Sequence, residues 1–399
     1  MVALLLSLIY VGGIVNPTGN LHRLPIALVN ADHGAPVAGQ QQNLGAQIVS
    51  GISSAADPGD QVSWRVLDQA SARQGLASGK LYGALEVPNG FTAAIAALGD
   101  STAQAPTRPT ITVLTNPGVG SLASSLAASI AQRAAHQASL HLGSSLTNRA
   151  RTGGGDLSGA ARLLLADPVA VDVKVGHQIG ARSGLGLTSF YYVLLLVLIS
   201  FLAGNIISNG VDVGLGYMYG ELGPWRTRRP TVPISRTETL AVKSVMSVVL
   251  AALTTSLVMV ATIAILRMDA SHLPLLWVFS FCASAAVGLG VQAINAAFGG
   301  IGQLISMFAF VALALPSSGA TIPLQALPPF YRVLSQFEPM RQLSDGTRAI
   351  LYFDARADAG LTRAWIMIAI GVVVALVFGF AMTRYYDRKG LHRMTRETP

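Results

Sequence analysis

The chain has a single cysteine among its 399 residues, Cys282, and it falls inside a long apolar run. That count excludes a disulfide framework and a thiolate zinc site. Charge is also scarce: 12% of residues are charged, 51% are hydrophobic and mean hydropathy is +0.51. Soluble domains carry about 25% charged residues, so composition argues against a wholly soluble chain. Only four of the 27 basic residues are lysine, a bias read as that of a GC-rich genome and not as a mechanism. The bases form no stripe interleaved with aromatics, which argues against nucleic-acid binding despite a pI of about 9.9. A phosphate loop is missing as well. Gly75 to Lys80 has the wrong spacing for one and Leu81 follows the lysine, so a helix C-cap leading into a strand explains the segment. His136 and His141 are five apart and do not share a helical face, and the other five of the seven histidines are scattered. Asp57 and Asp60 flank a Pro-Gly turn. With no nucleophile–base arrangement, the chain is not read as an enzyme, and no metal or cofactor site is expected in it.

What the sequence does have is length without charge. Gly184 to Gly210, Ser244 to Leu266 and Ala364 to Thr383 carry no Asp, Glu, Lys or Arg, and neither does Ala270 to Tyr331, which has room for two crossings. A bilayer core of about 30 Å needs roughly 20 apolar helical residues per crossing. Six spans are predicted, at about 1–15, 187–208, 240–266, 273–298, 300–316 and 364–383. The first is several residues short and lacks flanking Lys or Arg. No basic leader or small-residue cleavage site surrounds Ile14 to Pro17, so it is read as an uncleaved but truncated first span.

Orientation follows the Lys/Arg asymmetry of short loops. Arg226, Arg228, Arg229 and Arg236 crowd the segment after the second span, and Arg384, Arg388, Lys389, Arg393 and Arg396 crowd the tail. Both read as cytoplasmic: loop 209–237 and tail 384–399. The balanced loop 316–362 and residues 16–185 then lie outside.

Residues 16–185 alternate strand-like and helix-like patterns, an α/β domain. Ile26–Val29, Val62–Leu67, Leu81–Val87, Thr110–Thr115 and Val169–Val175 read as strands. Leu44–Ile52, Gln69–Ser78, Phe91–Leu98 and an Ala/Ser/Gln-rich run from about Ser121 to Ser145 read as helices, with Asp68 an N-cap. Thr152 to Asp156, with three consecutive glycines, reads as a flexible break before the return to the membrane.

Several of these residues form a recognisable series. Pro25-Ile26-Ala27-Leu28-Val29-Asn30-Ala31-Asp32-His33-Gly34 is followed by Asn43-Leu44-Gly45, then Trp64, Asp68 and Ala72. Gly79-Lys80-Leu81-Tyr82-Gly83-Ala84-Leu85-Glu86-Val87-Pro88 then leads to Phe91. The series resembles the outer domain of the YhgE/Pip (phage infection protein) family, within the type-2 ABC permease superfamily. Ser317-Ser318-Gly319-Ala320-Thr321-Ile322-Pro323, Leu327-Pro328-Pro329-Phe330, Pro339-Met340 and Arg348 resemble the outer loop before the last span of type-2 exporters. The resemblance implies an α-helical polytopic membrane protein of six transmembrane helices, type-2 ABC exporter-like, with the α/β domain inserted extracytoplasmically between helices 1 and 2. It also implies a homodimer in a bacterial plasma membrane, in contact with membrane lipids, with ATP bound on a separate ATPase subunit and a hydrophobic or amphipathic substrate. The family also resembles phage receptors and type VII secretion accessory proteins, so a non-transporting envelope scaffold or receptor is the alternative.

Three groups of residues are candidates for function. Asn205, Gln292, Asn295 and Gln303 are polar within or near spans, where lipid offers no partner. They either line a translocation path or hydrogen-bond neighbouring helices. Glu221, Trp225, Arg226, Arg228 and Arg229 lie in the inner loop, where type-2 exporters carry the coupling helix that docks on the ATPase; the bland reading is the positive-inside bias alone. Pro323, Pro328, Phe330 and Tyr331 lie in the outer loop, where the resemblance implies short helices dipping back into the outer leaflet as a gate. Such backbone must be buried in protein.

Overall fold

A computed structural model describes residues 2–37, 40–55, 57, 59–98, 108–152 and 164–391. Of the expected break at Thr152–Asp156, Thr152 is the last residue of a helix, and residues 153–156 lie outside these, as do the tail arginines Arg393 and Arg396. The chain forms two compact units. One, helical, comprises Met1–Val15, Gly180–Ala320 and Pro328–Pro399, and the other, α/β, comprises Asn16–Ile179 and Thr321–Leu327. The α/β unit therefore ends a few residues before the expected 185. It also takes in part of the outer loop, because the Gln325 carbonyl accepts the His22 N–H at 2.8 Å and Gln325 Oε1 accepts the Tyr82 hydroxyl at 3.0 Å.

Helix α1 (Val2–Ile14) begins the helical unit. The α/β unit follows with β1 (Leu24–Asn30), a small hairpin β2 (Ala35–Val37) and β3 (Gln40–Gln42), then α2 (Leu44–Ser54), β4 (Val62–Leu67), α3 (Gln69–Ala77), β5 (Gly83–Val87), α4 (Phe91–Leu98), β6 (Thr110–Thr115), α5 (Ser121–Thr152) and β7 (Ala170–Val175). The main sheet has the order β4-β1-β5-β6-β7. β1 pairs in parallel with β4 and β5, β6 turns antiparallel to β5, and β7 is parallel to β6. A strand flanked on both sides and covered on both faces reads as an unbroken apolar run, and Leu24 to Val29 is buried throughout. Leu28 joins α2, α4 and α5 on one face, while Ala27 and Val29 meet Ala72 and Leu76 of α3 on the other. Asp68 caps α3 as expected, accepting the Ser71 N–H at 2.8 Å.

Buried Asp32 ties two helix starts to the end of β1. Its carboxylate accepts the Gly45 N–H of α2 at 3.4 Å, the Thr92 N–H of α4 at 3.2 Å and the Thr92 hydroxyl. The Thr92 hydroxyl oxygen in turn accepts the Leu44 N–H at 2.8 Å. A carboxylate at two helix N-termini satisfies orphan donors and complements both dipoles.

The helical unit continues with α6 (Thr188–Gly214), a hairpin β8 (Gly220–Leu222) and β9 (Trp225–Thr227), α7 (Arg236–Met259, extended to Ile265 by a π-turn), α8 (Leu273–Phe298) and α9 (Gly300–Met307, extended to Ser317 through a π-turn). α10 (Pro329–Leu334), α11 (Pro339–Tyr352) and α12 (Leu361–Arg388) complete it. α7 starts on a capping box, with Ser235 and Glu238 bonded reciprocally. Among the described residues five helices, α6, α7, α8, α9 and α12 with those extensions, are long and apolar enough to cross a membrane, as in a polytopic membrane protein. Six were expected. The segment predicted as span 1–15 is helical, but the 13 residues of α1 rise only about 20 Å, short of the bilayer core.

Asp32→Ala strips acceptors from two helix starts and strands the Thr92 hydroxyl. It should destabilise the α/β unit by about 2–3 kcal/mol. Hydrogen exchange at the Gly45 and Thr92 amides should accelerate accordingly while exchange in α8 is unchanged; equal protection at all three would refute the role given to Asp32.

Candidate functional site

Polar residues on α6 recur at helical spacing. Gly204, Asn205, Ser208, Asn209 and Asp212 fall along one face, and each meets a partner from another helix. Gln292 of α8, only 1% exposed, donates to the Gly204 carbonyl at 2.9 Å and to Ser247 Oγ of α7 at 3.0 Å. Asn295 of α8 donates to Asn205 Oδ1 at 3.0 Å, and Gln303 of α9 donates to Asn209 Oδ1 at 2.7 Å. Lys243 of α7, 5% exposed, donates to Asp212 Oδ1 at 2.9 Å and to Ser208 Oγ at 3.1 Å. The four residues singled out from sequence thus lie along one seam, with Asn205 and Asn295 in direct contact. Buried Gln292 Oε1 and Asn295 Oδ1 accept no hydrogen bond.

The outer loop folds into the helical unit through α11. At its C-terminal end Tyr352 Oη lies 2.7 Å from Thr188 Oγ1 and accepts the Ser189 N–H at 3.1 Å, at the start of α6. Halfway along, a Cβ on Gly346 would sit 2.5 Å from the Phe279 ring and 2.6 Å from Ala364, so only glycine permits the approach. At its N-terminal end Pro339, Gln342 and Leu343 reach the middles of α8 and α12. α11 therefore runs from mid-bundle back to the helix ends. Arg348 holds the preceding turn, donating to the Ala320 carbonyl at 2.7 Å.

At the tip of α11, Glu338 is buried and caps the helix by accepting the Arg341 N–H at 3.2 Å. Beside it lies a cavity of about 310 Å³ bounded by α8, α12, the π-turn of α9 and the start of α11.

The candidate gate residues separate. Tyr331 of α10 is buried and donates to the Ile9 carbonyl of α1 at 2.9 Å, while the neighbouring Phe330 is exposed. Pro328 caps α10, and Pro323 belongs to the α/β unit. The inner loop departs from expectation. In place of a coupling helix, Gly220–Thr227 forms a hairpin, because Gly223 at φ +59° with Pro224 makes a tight turn. Glu221 and Arg226 face each other across it at 2.7 Å, Arg228 stacks over the Tyr219 ring, and Trp225 is 70% exposed.

A family model described as "Protein of unknown function (DUF3533)" matches residues 1–371. The chain belongs to that family. No curated protein and no solved structure matches it. Sequence reasoning on this DUF3533 chain missed Ser208, Asn209, Asp212 and Lys243, although the four-residue recurrence from Asn205 and Ser208 was a usable signal. It missed Glu338 and Gln342 as site residues too, because a loop reading carries no depth.

One outcome follows from these contacts. Lys243→Met removes the cation that faces Asp212 and should cost about 3 kcal/mol; adding Asp212→Leu should recover most of it. Thermal melts of the purified protein and its two variants check this, and an additive double mutant would contradict the pairing.

Proposed function

We propose that this chain is the permease subunit of a type-2 ABC exporter. It carries a hydrophobic or amphipathic substrate across a bacterial plasma membrane, as a homodimer driven by a separate ATPase. The observation that carries the reading is α11. A re-entrant helix placed just before the last span, with an apolar cavity at its tip, is the arrangement the YhgE/Pip-like and exporter-like residues imply for an outer gate. Tyr331 holding α10 to α1 supports the same role. In this reading α1 is the first of six spans, residues 16–185 are extracytoplasmic and the C-terminus is cytoplasmic. The seam of Asn205, Gln292, Asn295 and Gln303 borders the path, its helices held together by the same amides.

The inner hairpin is the docking element for the ATPase. Trp225, Arg228 and Arg229 present an exposed aromatic and two cations to an acidic groove. Arg226 is occupied by Glu221 and is spared in the test. Trp225→Ala with Arg228→Glu and Arg229→Glu should abolish co-purification of an ATPase with the chain. Ser53→Cys and Lys389→Cys, on a Cys282→Ala background, report orientation. In intact cells an impermeant maleimide should label Ser53→Cys alone. A correctly oriented triple variant that keeps its ATPase, or a wild-type chain purifying with none, would favour the envelope scaffold.

A further inference from the structure

A larger cavity, about 700 Å³, opens in the α/β unit between α2, the start of β4 and α5. That volume lies well inside the roughly 300–1,000 Å³ range of ligand sites. Its lining is sorted by depth. Leu44, Ile48 and Ile52 of α2 are buried at the floor, with Leu142 of α5 and Trp64 of β4 partly buried beside them. Gln47, Gln61 and Gln137 stand exposed along the rim, and their side-chain amides bond no other described residue. Residues 44–55 form one wall, a rise of about 16 Å for a helix. That length takes about five residues of extended chain at roughly 3.3 Å each.

Charge in this groove is unbalanced on one side. Arg133 of α5 is the one Lys or Arg of the described lining, is exposed, and forms no ion pair among the described residues. Its Nε donates to the Ser129 carbonyl at 3.3 Å, which leaves the two terminal nitrogens of the fork for a carboxylate. Asp57 is the one acid of the lining, and its Oδ2 accepts the Val62 N–H at 2.9 Å.

Three occupants can be weighed against this lining. An alkyl chain would satisfy the floor but strip water from the rim amides and return nothing to them. A sugar carries hydroxyls around its ring, and those turned to Leu44, Ile48 and Leu142 would go unpaired. An extended peptide places alternate side chains downward and offers a donor and an acceptor at each residue. Glutamine both donates and accepts, so the rim suits a peptide backbone as the floor suits its apolar side chains.

We propose that the groove binds an extended peptide of about five or six residues, apolar at alternate positions, with a carboxylate that pairs with Arg133. Such a site lies wholly within the α/β unit and needs neither the exporter reading nor its alternative.

The full-length protein in lipid nanodiscs, offered a library of synthetic hexapeptides, tests it, with retained peptides read by mass spectrometry. Those retained should be apolar at alternate positions and carry Asp, Glu or a free carboxyl end. For the best of them, followed by fluorescence anisotropy, replacing the carboxylate by an amide should weaken binding about tenfold in the wild type. The same replacement should change nothing in Arg133→Gln, because the partner is already gone. Gly51→Phe should abolish retention. A Cβ at Gly51 meets nothing within 4 Å, so the ring enters the groove without strain, and loss of a helical glycine should not lower the melting temperature. Peptides retained equally by Gly51→Phe would overturn the site. A carboxylate preference that survives Arg133→Gln would overturn the pairing. Decanoate or maltose bound by the wild type and not by Gly51→Phe, with no peptide retained, would overturn the peptide in favour of an acyl chain or a sugar.

Discussion

Hydrocarbon donates and accepts no hydrogen bonds, and the helical unit is organised around that constraint. An amide, hydroxyl or charge placed inside the bundle has only other protein groups to bond to. The face of α6 from Gly204 to Asp212 does this against three helices at once, through Gln292, Asn295, Gln303 and Lys243. Apolar contact alone would leave these helices free to slide and rotate, since lipid tails are as apolar as leucine. The polar seam fixes their register, and only with that register fixed can α11 enter beside α8 and α12 with Gly346 against Phe279.

The α/β unit solves the opposite problem. Here the difficulty is to bury a central strand while several helices start close together. Asp32 answers it with one carboxylate serving α2 and α4. The turn residues Asn30 and Asn43 complete the knot: Asn30 Oδ1 accepts the Asp32 N–H at 3.1 Å and Asn43 donates to the Asp32 carbonyl at 2.8 Å.

Much of this was legible in the order of residues. β4, β6, α4 and α8 occur where alternation or unbroken apolar length places them, because period and length are local properties. The pairing of β2 with β3 was not, since Ala35–Val37 and Gln40–Gln42 are three residues each and have no strand-like composition. The inner hairpin hid for a related reason. A charge census registers Arg226 and Glu221 as loop charges and cannot see that Gly223-Pro224 sets them opposite each other. Least legible was depth. Pro339–Tyr352 has the composition of a surface helix, with Arg341, Asp345 and Arg348, yet it lies against the bundle core through Met340, Leu343, Ala349 and Ile350. Nothing local to a sequence says that such a helix also buries Gln342, Ser344, Thr347 and Arg348.

The direction of α11 has one more effect. Its N-terminus, the positive end of its macrodipole, worth about half a charge, stops in the middle of the bundle beside the cavity. Glu338 stands at that end and accepts the Arg341 N–H. In surroundings of low dielectric the field of a helix end reaches further than it would in water. An acidic side chain is therefore held at such a helix start more tightly than the same pair would be at a wet surface.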